Sequence, residues 1–306
     1  MEKIYDMIVV GGGPGGYTAA LYAARAGRSV GIVEKLSAGG QMALTAHIDN
    51  YPGFPDGVDG FDLGQNMRAG AERFGAETVL AEVKTMDLRA EPKRLQTSEG
   101  EFLARTAVIA TGANPRKLRV AGEQELTNRG VSYCAHCDGM FYRGKTVVGV
   151  GGGNSAVADA LILSRIAKKV YLVHRRDTFR ATKVYHEQLE SAENVEFVWN
   201  STVSELLHDE KLTGVKVQNV QTGQEREIFC DGLFVSVGRE PATALVKEQL
   251  ALDAGGYIPA DESTRTQIPG VFAVGDVRSK ALRQIVTAVA DGAVAAHFAD
   301  EYLAEN

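Results

Sequence analysis

Two stretches of the chain share one order of apolar and polar positions. In the first, an apolar run at 7–10 leads into a cluster of glycines, a stretch with helical spacing at 17–26, and a second apolar run at 29–33. A short apolar run bounded by glycines is typical of a buried parallel strand. Glycine directly after the helical stretch, here Gly27, marks the end of a helix. The pattern therefore predicts a strand, a glycine turn, a helix and a second strand.

The same order returns 140 residues later. Residues 145–150 are expected to form a strand, 151–156 a glycine turn, 157–168 a helix, and 170–173 the next strand. A strand, a glycine turn and a helix followed by a parallel strand make up the dinucleotide-binding unit of Rossmann folds. The sequence therefore predicts an α/β protein with two Rossmann-like dinucleotide-binding domains.

Composition narrows the classes of protein that the chain can belong to. Its 306 residues suit two domains of about 100–200 residues each. The net charge of −6 and the absence of a basic block argue against a nucleic acid partner. No apolar run approaches the ~20 residues that span a bilayer, and the first one is too short for a signal peptide. We therefore expect a cytoplasmic protein without a membrane partner.

The first glycine turn has the spacing G-x-G-x-x-G, formed by Gly11, Gly13 and Gly16. Such glycines let the backbone turn tightly and approach a pyrophosphate at the N-terminus of the following helix. Glu34 ends the second predicted strand, where a carboxylate accepts hydrogen bonds from an adenosine ribose. The first unit is therefore predicted to bind FAD or NAD.

The second turn, with Gly151, Gly153 and Ala156, has the spacing G-x-G-x-x-A. Each turn begins 23 residues before the end of its second strand, but here a cationic cluster takes the place of the acid: His174, Arg175, Arg176 and Arg180. Guanidinium groups bind the 2'-phosphate that distinguishes NADP from NAD. The second unit is therefore predicted to bind NADPH; the alternative is that these arginines belong to a solvated loop.

The three cysteines are Cys134, Cys137 and Cys230. The first two form a C-x-x-C pair, which in a reducing compartment is more often catalytic or metal-binding than structural. A zinc site would need further ligands, and His136, Asp138 and His174 are candidates. We favour a redox pair because two nucleotide sites imply electron transfer. Cys230 lies in a strand-like run and is expected to be an inert buried thiol.

Two polar residues accompany the cysteine pair. Asp138 follows the second cysteine and could exchange a proton with a thiolate, or simply belong to a turn before Gly139. His136 could be an exposed loop residue, a group that tunes the disulfide potential, or a proton relay. A cation beside a thiolate stabilises the reduced form and makes the disulfide more oxidising. We therefore predict that His136→Ala lowers the reduction potential.

Taken together, these motifs make the chain resemble the bacterial low-molecular-weight thioredoxin reductases from about Asp6 to Leu303. The segments that carry the resemblance are 11–16, 39–41, 50–55, 110–113, 134–139, 151–156, 174–180, 275–276 and 283–284. The resemblance implies domains of the three-layer ββα type, with an NADPH domain (117–243) inserted into a discontinuous FAD domain (1–116 and 244–306). His136 departs from the threonine that is common in the family.

The resemblance also implies the residues of each site. The FAD contacts would be Gly11, Gly13, Pro14, Gly15, Gly16, Glu34, Gly40, Gln41, Asn50, Val83, Thr111, Gly112, Gly275, Asp276, Arg283, Gln284 and Ile285. The NADPH contacts would be Gly151, Gly153, Asn154, Ser155, Ala156, His174, Arg175, Arg176 and Arg180. For Asp276, an ordinary turn is the alternative interpretation.

The activity implied by the resemblance is the reduction of thioredoxin, in the service of cell redox homeostasis. NADPH would reduce FAD, and FAD would open the Cys134–Cys137 disulfide. Cys137 would face the flavin, Cys134 would attack thioredoxin, and Asp138 would be the acid or base. The enzyme would be a homodimer, and its NADPH domain would rotate about hinges near 115–120 and 238–243.

Other functions remain open. A ferredoxin or flavodoxin–NADP reductase could use the same scaffold but would not need the cysteines. A reductase of a small-molecule disulfide, or of a peroxidase system, would use them. A non-catalytic NADPH sensor should bind NADPH without bleaching the flavin.

Overall fold

The computed structural model describes residues 3–45, 47–181 and 188–306. The chain divides into two compact units. The first unit comprises Met1–Asn114 and Glu240–Asn306, and the second comprises Pro115–Arg239. Within the described residues, no helix is both long enough and apolar enough to cross a membrane.

The first unit is built on a sheet of seven strands. Labelled in chain order, its strands are β1 (Ile4–Val10), β2 (Val30–Glu34), β3 (Glu77–Leu80), β4 (Val83–Asp87), β5 (Lys93–Thr97), β6 (Gly100–Ile109) and β17 (Val271–Ala273). Its helices are α1 (Pro14–Arg25), α2 (Gly60–Glu72) and α5 (Ile285–Glu305). Short 3-10 helices span Gly40–Leu44 and Gly275–Val277.

Strand β1 is the central strand of this sheet and pairs in parallel with β2 and β6. Val9 lies opposite Ile32 on one side and Val108 on the other, and all three are fully buried. Burial on both faces explains why β1 is apolar without alternation. Strands β3 and β17 extend the parallel part, and the antiparallel hairpin β4–β5 pairs with β6.

Helices α1 and α5 pack closely against each other. A Cβ on Gly292 would lie 2.3 Å from the carbonyl oxygen of Gly15, so only glycine allows this approach. Buried alanines line the rest of the contact, among them Ala19 and Ala295. The crossing places the beginning of α5 against the first glycine turn.

The second unit has a parallel five-stranded sheet in the order β11-β10-β9-β15-β8. Its strands are β8 (Val131–Ser132), β9 (Thr146–Val150), β10 (Lys169–Val173), β11 (Val195–Val198) and β15 (Gly232–Val235). An antiparallel sheet consists of β12 (Ser201–His208), β13 (Leu212–Asn219) and β14 (Glu225–Phe229). The helices are α3 (Ala135–Asp138) and α4 (Asn154–Ser164), and a 3-10 helix spans Gly139–Tyr142. The strands β7 (Ala113–Pro115) and β16 (Arg239–Pro241) pair with each other.

The predicted α/β fold with two nucleotide-binding units is confirmed, but the helix boundaries differ. Helix α1 begins at Pro14 and α4 at Asn154, three residues before each predicted start. The last residues of each glycine turn already form the first helical turn, and Pro14 suits that position because it has no N–H to pair. Helix α4 ends at Ser164, four residues earlier than predicted.

Candidate functional site

The first glycine turn is sterically closed on one side and open on the other. Gly11 has φ +107°, and a Cβ there would lie 2.4 Å from the carbonyl oxygen of Ala110. A Cβ on Gly16 would lie 2.0 Å from the carbonyl oxygen of Gly11. Nothing lies within 4 Å of a Cβ added to Gly13, and no side chain caps α1. The backbone N–H groups of Gly15 and Gly16 in the first turn of α1 therefore face a space that suits a pyrophosphate.

Glu34 lies beside this turn at the end of β2. Its Oε2 accepts a hydrogen bond of 2.6 Å from the N–H of Gly12, and its Oε1 accepts one of 2.9 Å from Leu36. A carboxylate has about four acceptor sites, so two remain for a ligand. Val83, the first residue of β4, is half-buried and packs against the core.

Two further predicted residues, Gly40 and Gln41, begin a 3-10 helix, and Gly40 lies close to the turn. A Cβ on Gly40 would lie 3.5 Å from the Cα of Gly13, so the two backbones are close. Gln41 is exposed, and its Nε2 donates to Oδ1 of Asn114 over 2.9 Å.

The Gly275–Asp276 turn also lies against the first glycine turn. Gly275 has φ +71°, and a Cβ added to Gly15 would be 3.6 Å from its nitrogen. The N–H of Gly275 donates to Oδ2 of Asp291 over 2.9 Å. Asp276 is half-buried in the following 3-10 helix.

Asp291 is a buried acid that the sequence analysis missed. Besides Gly275, it contacts Nζ of Lys280 at 2.6 Å and Nη1 of Arg278 at 3.4 Å. Both cations are nearly fully buried. One carboxylate therefore neutralises part of a buried cationic pair and holds the Gly275 turn. No sequence motif signals it, because an acid on a helix is usually exposed.

The beginning of α5 brings together residues that are distant in the chain. Gln284 caps the helix, and its Oε1 accepts a hydrogen bond of 3.0 Å from Nδ2 of Asn50. Arg283 lies over the ring of Tyr257 at 3.9 Å and donates to the carbonyl of Asp276 over 3.4 Å. Ile285 packs against the small apolar cluster that contains Met42.

Thr111 and Gly112 follow the end of β6. Oγ1 of Thr111 donates to the carbonyl of Ala242 over 2.8 Å, and the carbonyl of Gly112 accepts from the N–H of Ala242 over 2.9 Å. Gly112 has φ +72°, which favours glycine. Both residues therefore fix the segment that enters the second part of the first unit.

The second glycine turn repeats the steric solution of the first. Gly151 has φ +147°, and a Cβ there would lie 2.4 Å from the carbonyl oxygen of Ser236 and 2.6 Å from the Cβ of Ala156. Gly153 is open on its outer side. Asn154 and Ser155 are exposed at the start of α4, which has no side-chain cap.

His174 lies directly on this turn. It is only 5% exposed, and a Cβ on Gly152 would come within 2.2 Å of its Cε1. Its Nε2 is buried and has no hydrogen-bond partner among the described residues. Burial lowers the pKa of His174, and Arg180 adds to that effect. The N–H of Arg180 donates to the carbonyl of Gly152 over 2.7 Å, so the loop is fastened to the turn at both ends.

The arginines of this loop point to solvent. Arg175, Arg176 and Arg180 are all exposed. In the described part of the chain, none of them forms an ion pair with a carboxylate. A dianionic phosphate suits this place, because three guanidinium groups without a carboxylate partner among the described residues lie near the unpartnered Nε2 of His174.

Cys134 and Cys137 form a disulfide, with their Cα atoms 5.3 Å apart. Cys134 is the N-cap of α3, and its Sγ accepts a hydrogen bond of 3.2 Å from the N–H of Cys137. Both cysteines are half-buried. Across the described ranges, no group of three or more His, Cys, Asp or Glu is arranged to hold a metal ion, so the zinc alternative gains no support.

Asp138 lies beside the disulfide and is held by Ser132. Oγ of Ser132 donates to Oδ2 of Asp138 over 2.6 Å and accepts from the N–H of Cys134 over 3.1 Å. Burial raises the pKa of Asp138, and the Ser132 hydrogen bond opposes the shift. A carboxyl whose pKa is raised keeps its proton to higher pH, which suits an acid that protonates a thiolate. Ser132 is a second residue that the sequence analysis missed.

Cys230 lies away from this chemistry. It is buried in the core of the second unit, and burial raises the pKa of its thiol to about 12. It therefore stays protonated and unreactive at neutral pH, as the sequence predicted.

The chain resembles known proteins over nearly its whole length. The sequence profile of the pyridine nucleotide-disulphide oxidoreductases matches residues 5–292. Thioredoxin reductase from Listeria monocytogenes is 46% identical over 305 residues, which cover 99% of this chain and 95% of that protein. Thioredoxin reductase from Bacillus subtilis is 43% identical over 306 residues, which cover 99% of this chain and 96% of that protein.

Solved structures give the same grouping. The crystal structure of thioredoxin reductase from Streptococcus pyogenes matches with a TM-score of 0.91 and 43% identity, and covers both chains fully. The Lactococcus lactis enzyme matches with a TM-score of 0.71 and 41% identity, covering 99% of this chain and all of that one. The chain therefore belongs to the pyridine nucleotide-disulphide oxidoreductase family and, within it, to the thioredoxin reductases.

Proposed function

We propose that the chain is an NADPH-dependent thioredoxin reductase that uses FAD. The observation that carries the proposal is the Cys134–Cys137 disulfide with the partly buried Asp138 beside it, in a unit that also holds a cationic nucleotide loop. A disulfide takes up two electrons, which is what one NADPH delivers. The relatives named thioredoxin reductase support thioredoxin as the substrate.

The first unit would hold FAD. The N–H groups at the start of α1 would bind the pyrophosphate, and the free acceptor sites of Glu34 would bind the adenosine ribose. The Gly275–Asp276 turn and the Asn50–Gln284 pair would hold the ribityl and flavin end. FAD, when bound, would supply a two-electron carrier between reduced nicotinamide and the disulfide.

The second unit would hold NADPH. The N–H groups at the start of α4 would bind its pyrophosphate, and Arg175, Arg176 and Arg180 would bind the 2'-phosphate. His174 would offer its unpartnered Nε2 from the floor of the same loop.

The cysteines would pass the electrons on. Two electrons break the Cys134–Cys137 bond and leave two sulfurs, one of which Asp138 can protonate. The remaining thiolate attacks the disulfide of thioredoxin, forms a mixed disulfide and releases one thioredoxin thiolate. The second cysteine then attacks the mixed disulfide, which restores Cys134–Cys137 and frees reduced thioredoxin. The assignment of Cys137 to the flavin and Cys134 to thioredoxin stays a prediction.

The test is NADPH-driven reduction of thioredoxin by purified yellow protein. We expect NADPH to bleach the flavin absorbance, and NADPH consumption to require thioredoxin. Cys134→Ser and Cys137→Ser should each abolish turnover but still bleach, and one of them should trap a mixed disulfide with thioredoxin. Cys230→Ser is the matched control and should remain active. Ferredoxin or glutathione disulfide serving better than thioredoxin, or turnover by Cys137→Ser, would contradict the proposal.

The proposal includes two further expectations. The cysteine pair and the cationic loop lie in one unit and the acidic nucleotide site in the other, so we propose that the units rotate during turnover. A verified crosslink between the units should block turnover but retain FAD. We also propose a cytoplasmic homodimer, for which sedimentation velocity should give twice the chain mass of 32.8 kDa.

A further inference from the structure

His136 lies between the two cysteines and faces an acid of the neighbouring helix. Its Nδ1 is 3.7 Å from Oδ1 of Asp159 on α4, which is longer than a hydrogen bond but within ion-pair distance. The imidazole is about half exposed, and the carboxylate is mostly buried. Sequence analysis did not identify Asp159, because nothing in the sequence brings α4 next to α3.

The carboxylate of Asp159 is oriented from its other side. Oγ of Ser236 donates a short hydrogen bond to Oδ2 of Asp159. Ser236 is itself fixed, because its N–H donates to the carbonyl of Val150 over 2.8 Å and its carbonyl oxygen packs against Gly151. The hydroxyl therefore occupies one carboxylate oxygen and leaves the other facing His136.

The other charged groups near the redox turn act elsewhere. On the same turn, Asp138 is hydrogen-bonded to Ser132. The side chains of Leu163 on α4 and of Ile166 just after that helix are apolar and face Gly139. Asp159 raises the pKa of His136, and partial burial opposes that shift. Within the described residues, Asp159 is thus the charged group that acts on the imidazole.

We propose that Asp159, oriented by Ser236, is a positioning residue that keeps a cationic His136 on the redox turn and so makes the disulfide more oxidising. The proposal rests on the redox role of Cys134 and Cys137 proposed above. Reduction converts the disulfide into two thiols with two electrons and two protons, and attack on a substrate disulfide uses one of them as the thiolate. A cation beside that thiolate stabilises the reduced pair.

The test is a redox titration that uses dithiothreitol as the reductant. The FAD-containing protein is equilibrated with mixtures of reduced and oxidised dithiothreitol between about pH 6 and 9, where histidine titrates. The samples are then quenched with acid, unfolded and alkylated, and mass spectrometry gives the fraction of protein in which the pair is reduced. Cys230 is free in every sample and adds the mass of one alkyl group throughout. Neither NADPH nor thioredoxin turnover enters the measurement, so the outcome is independent of substrate identity.

Near neutral pH, we expect His136→Ala and Asp159→Asn to shift the equilibrium about two- to fivefold toward the disulfide, the range of partly exposed ion pairs. The difference between wild type and His136→Ala should vanish as pH rises through the His136 titration. Asp159→Asn should have a larger reduced fraction of the pair than His136→Ala only at lower pH, because without Asp159 the imidazole is protonated over a lower pH range. His136→Lys should keep the wild-type equilibrium at higher pH, because its charge persists.

Two controls separate this role from a change in folding. Ser236→Ala keeps both charged groups and should give a smaller shift in the same direction. Glu301→Gln removes an exposed carboxylate that pairs with His297 at 3.4 Å and with Arg265 at 3.2 Å, and it should leave the redox equilibrium unchanged. An Asp159→Asn profile that superimposes on wild type at every pH would overturn the proposal, as would a His136→Lys profile that follows His136→Ala.

Discussion

The two glycine turns solve one steric problem and then differ in charge. In each, the first glycine has a positive φ, and a Cβ there would lie 2.4 Å from a neighbouring carbonyl oxygen. At the end of the strand that follows each turn, Glu34 accepts a hydrogen bond from the first turn, whereas His174 lies buried under the second. The backbone thus provides the same steric arrangement twice, and we propose that a few side chains decide which nucleotide suits each turn.

The turns also differ in how they are held. The first contacts the Gly275 turn, whose N–H is bound by the buried Asp291 with its two cationic partners. The second is held by neutral groups, since the carbonyl oxygen of Ser236 and the ring of His174 fill the space beside Gly151 and Gly152. Substitutions in the first unit should therefore affect stability more, and those in the second should affect nucleotide choice.

The largest effect is expected from Asp291→Asn. The change keeps an acceptor for the N–H of Gly275 but leaves Lys280 and Arg278 buried without their anion. We expect a loss of about 3 kcal/mol in the free energy of unfolding, together with weaker FAD binding. Chemical denaturation and FAD titration of the apoprotein measure the two effects. Asp300→Asn breaks the more exposed pair with Arg28 and should lower the free energy of unfolding by about 1 kcal/mol or less. Equal losses of stability in the two variants would contradict a special role for Asp291 in holding the Gly275 turn.

The second prediction concerns the cationic loop. Arg175→Ala combined with Arg176→Ala removes two guanidinium groups that have no acidic partner in the described structure. We expect the KM for NADPH to rise about 100-fold, and that for NADH about threefold or less, because only NADPH has the 2'-phosphate. Arg226→Ala removes an exposed arginine of the same unit that is paired with Glu196, and should leave both values unchanged. A parallel rise for both cofactors would show that the loop does not bind the phosphate.

The third prediction concerns the acid at the first turn. Glu34→Gln keeps the size of the side chain but removes the charge that strengthens its hydrogen bonds to the turn and to a ribose. We expect the Kd for FAD to rise about tenfold, the loss of one charge-assisted hydrogen bond. Fluorescence quenching of FAD on the apoprotein measures it. Glu101→Gln, at an exposed position near the start of β6, is the control. An unchanged Kd for FAD in Glu34→Gln would show that Glu34 does not bind the ribose.

The smallest effect is a pH dependence at His174. Burial lowers its pKa in the free protein, so the imidazole is neutral near pH 7. A bound 2'-phosphate favours the protonated form, so binding takes up a proton and strengthens as pH falls. We expect the Kd for NADPH to fall about threefold more in wild type than in His174→Gln between about pH 8 and 6. Titration of the 2'-phosphate itself contributes equally in both proteins. The same dependence of the Kd on pH in wild type and His174→Gln would therefore show that His174 does not bind the phosphate.

Much of the candidate site could be predicted because its signals are local. A glycine with positive φ, a C-x-x-C pair and a charge at the end of a strand are each specified within a few residues. Helix starts were less accurate, because the glycine turn and the first helical turn share residues. Cys230 was predicted as buried because it lies in a strand-like run; it is buried, although it lies between β14 and β15 rather than in a strand.

The chain alone determined the strand–turn–helix–strand order at the start of each unit, the two glycine turns, their opposite charges and the cysteine pair, because each depends on neighbours in sequence. Only the tertiary structure decided which distant residues meet. Asn50 contacts Gln284, 234 residues away, because the last helix begins beside the first unit's loops. Asp291 reaches Gly275, and Asp159 reaches His136, because helix packing sets those distances, and no local pattern encodes helix packing.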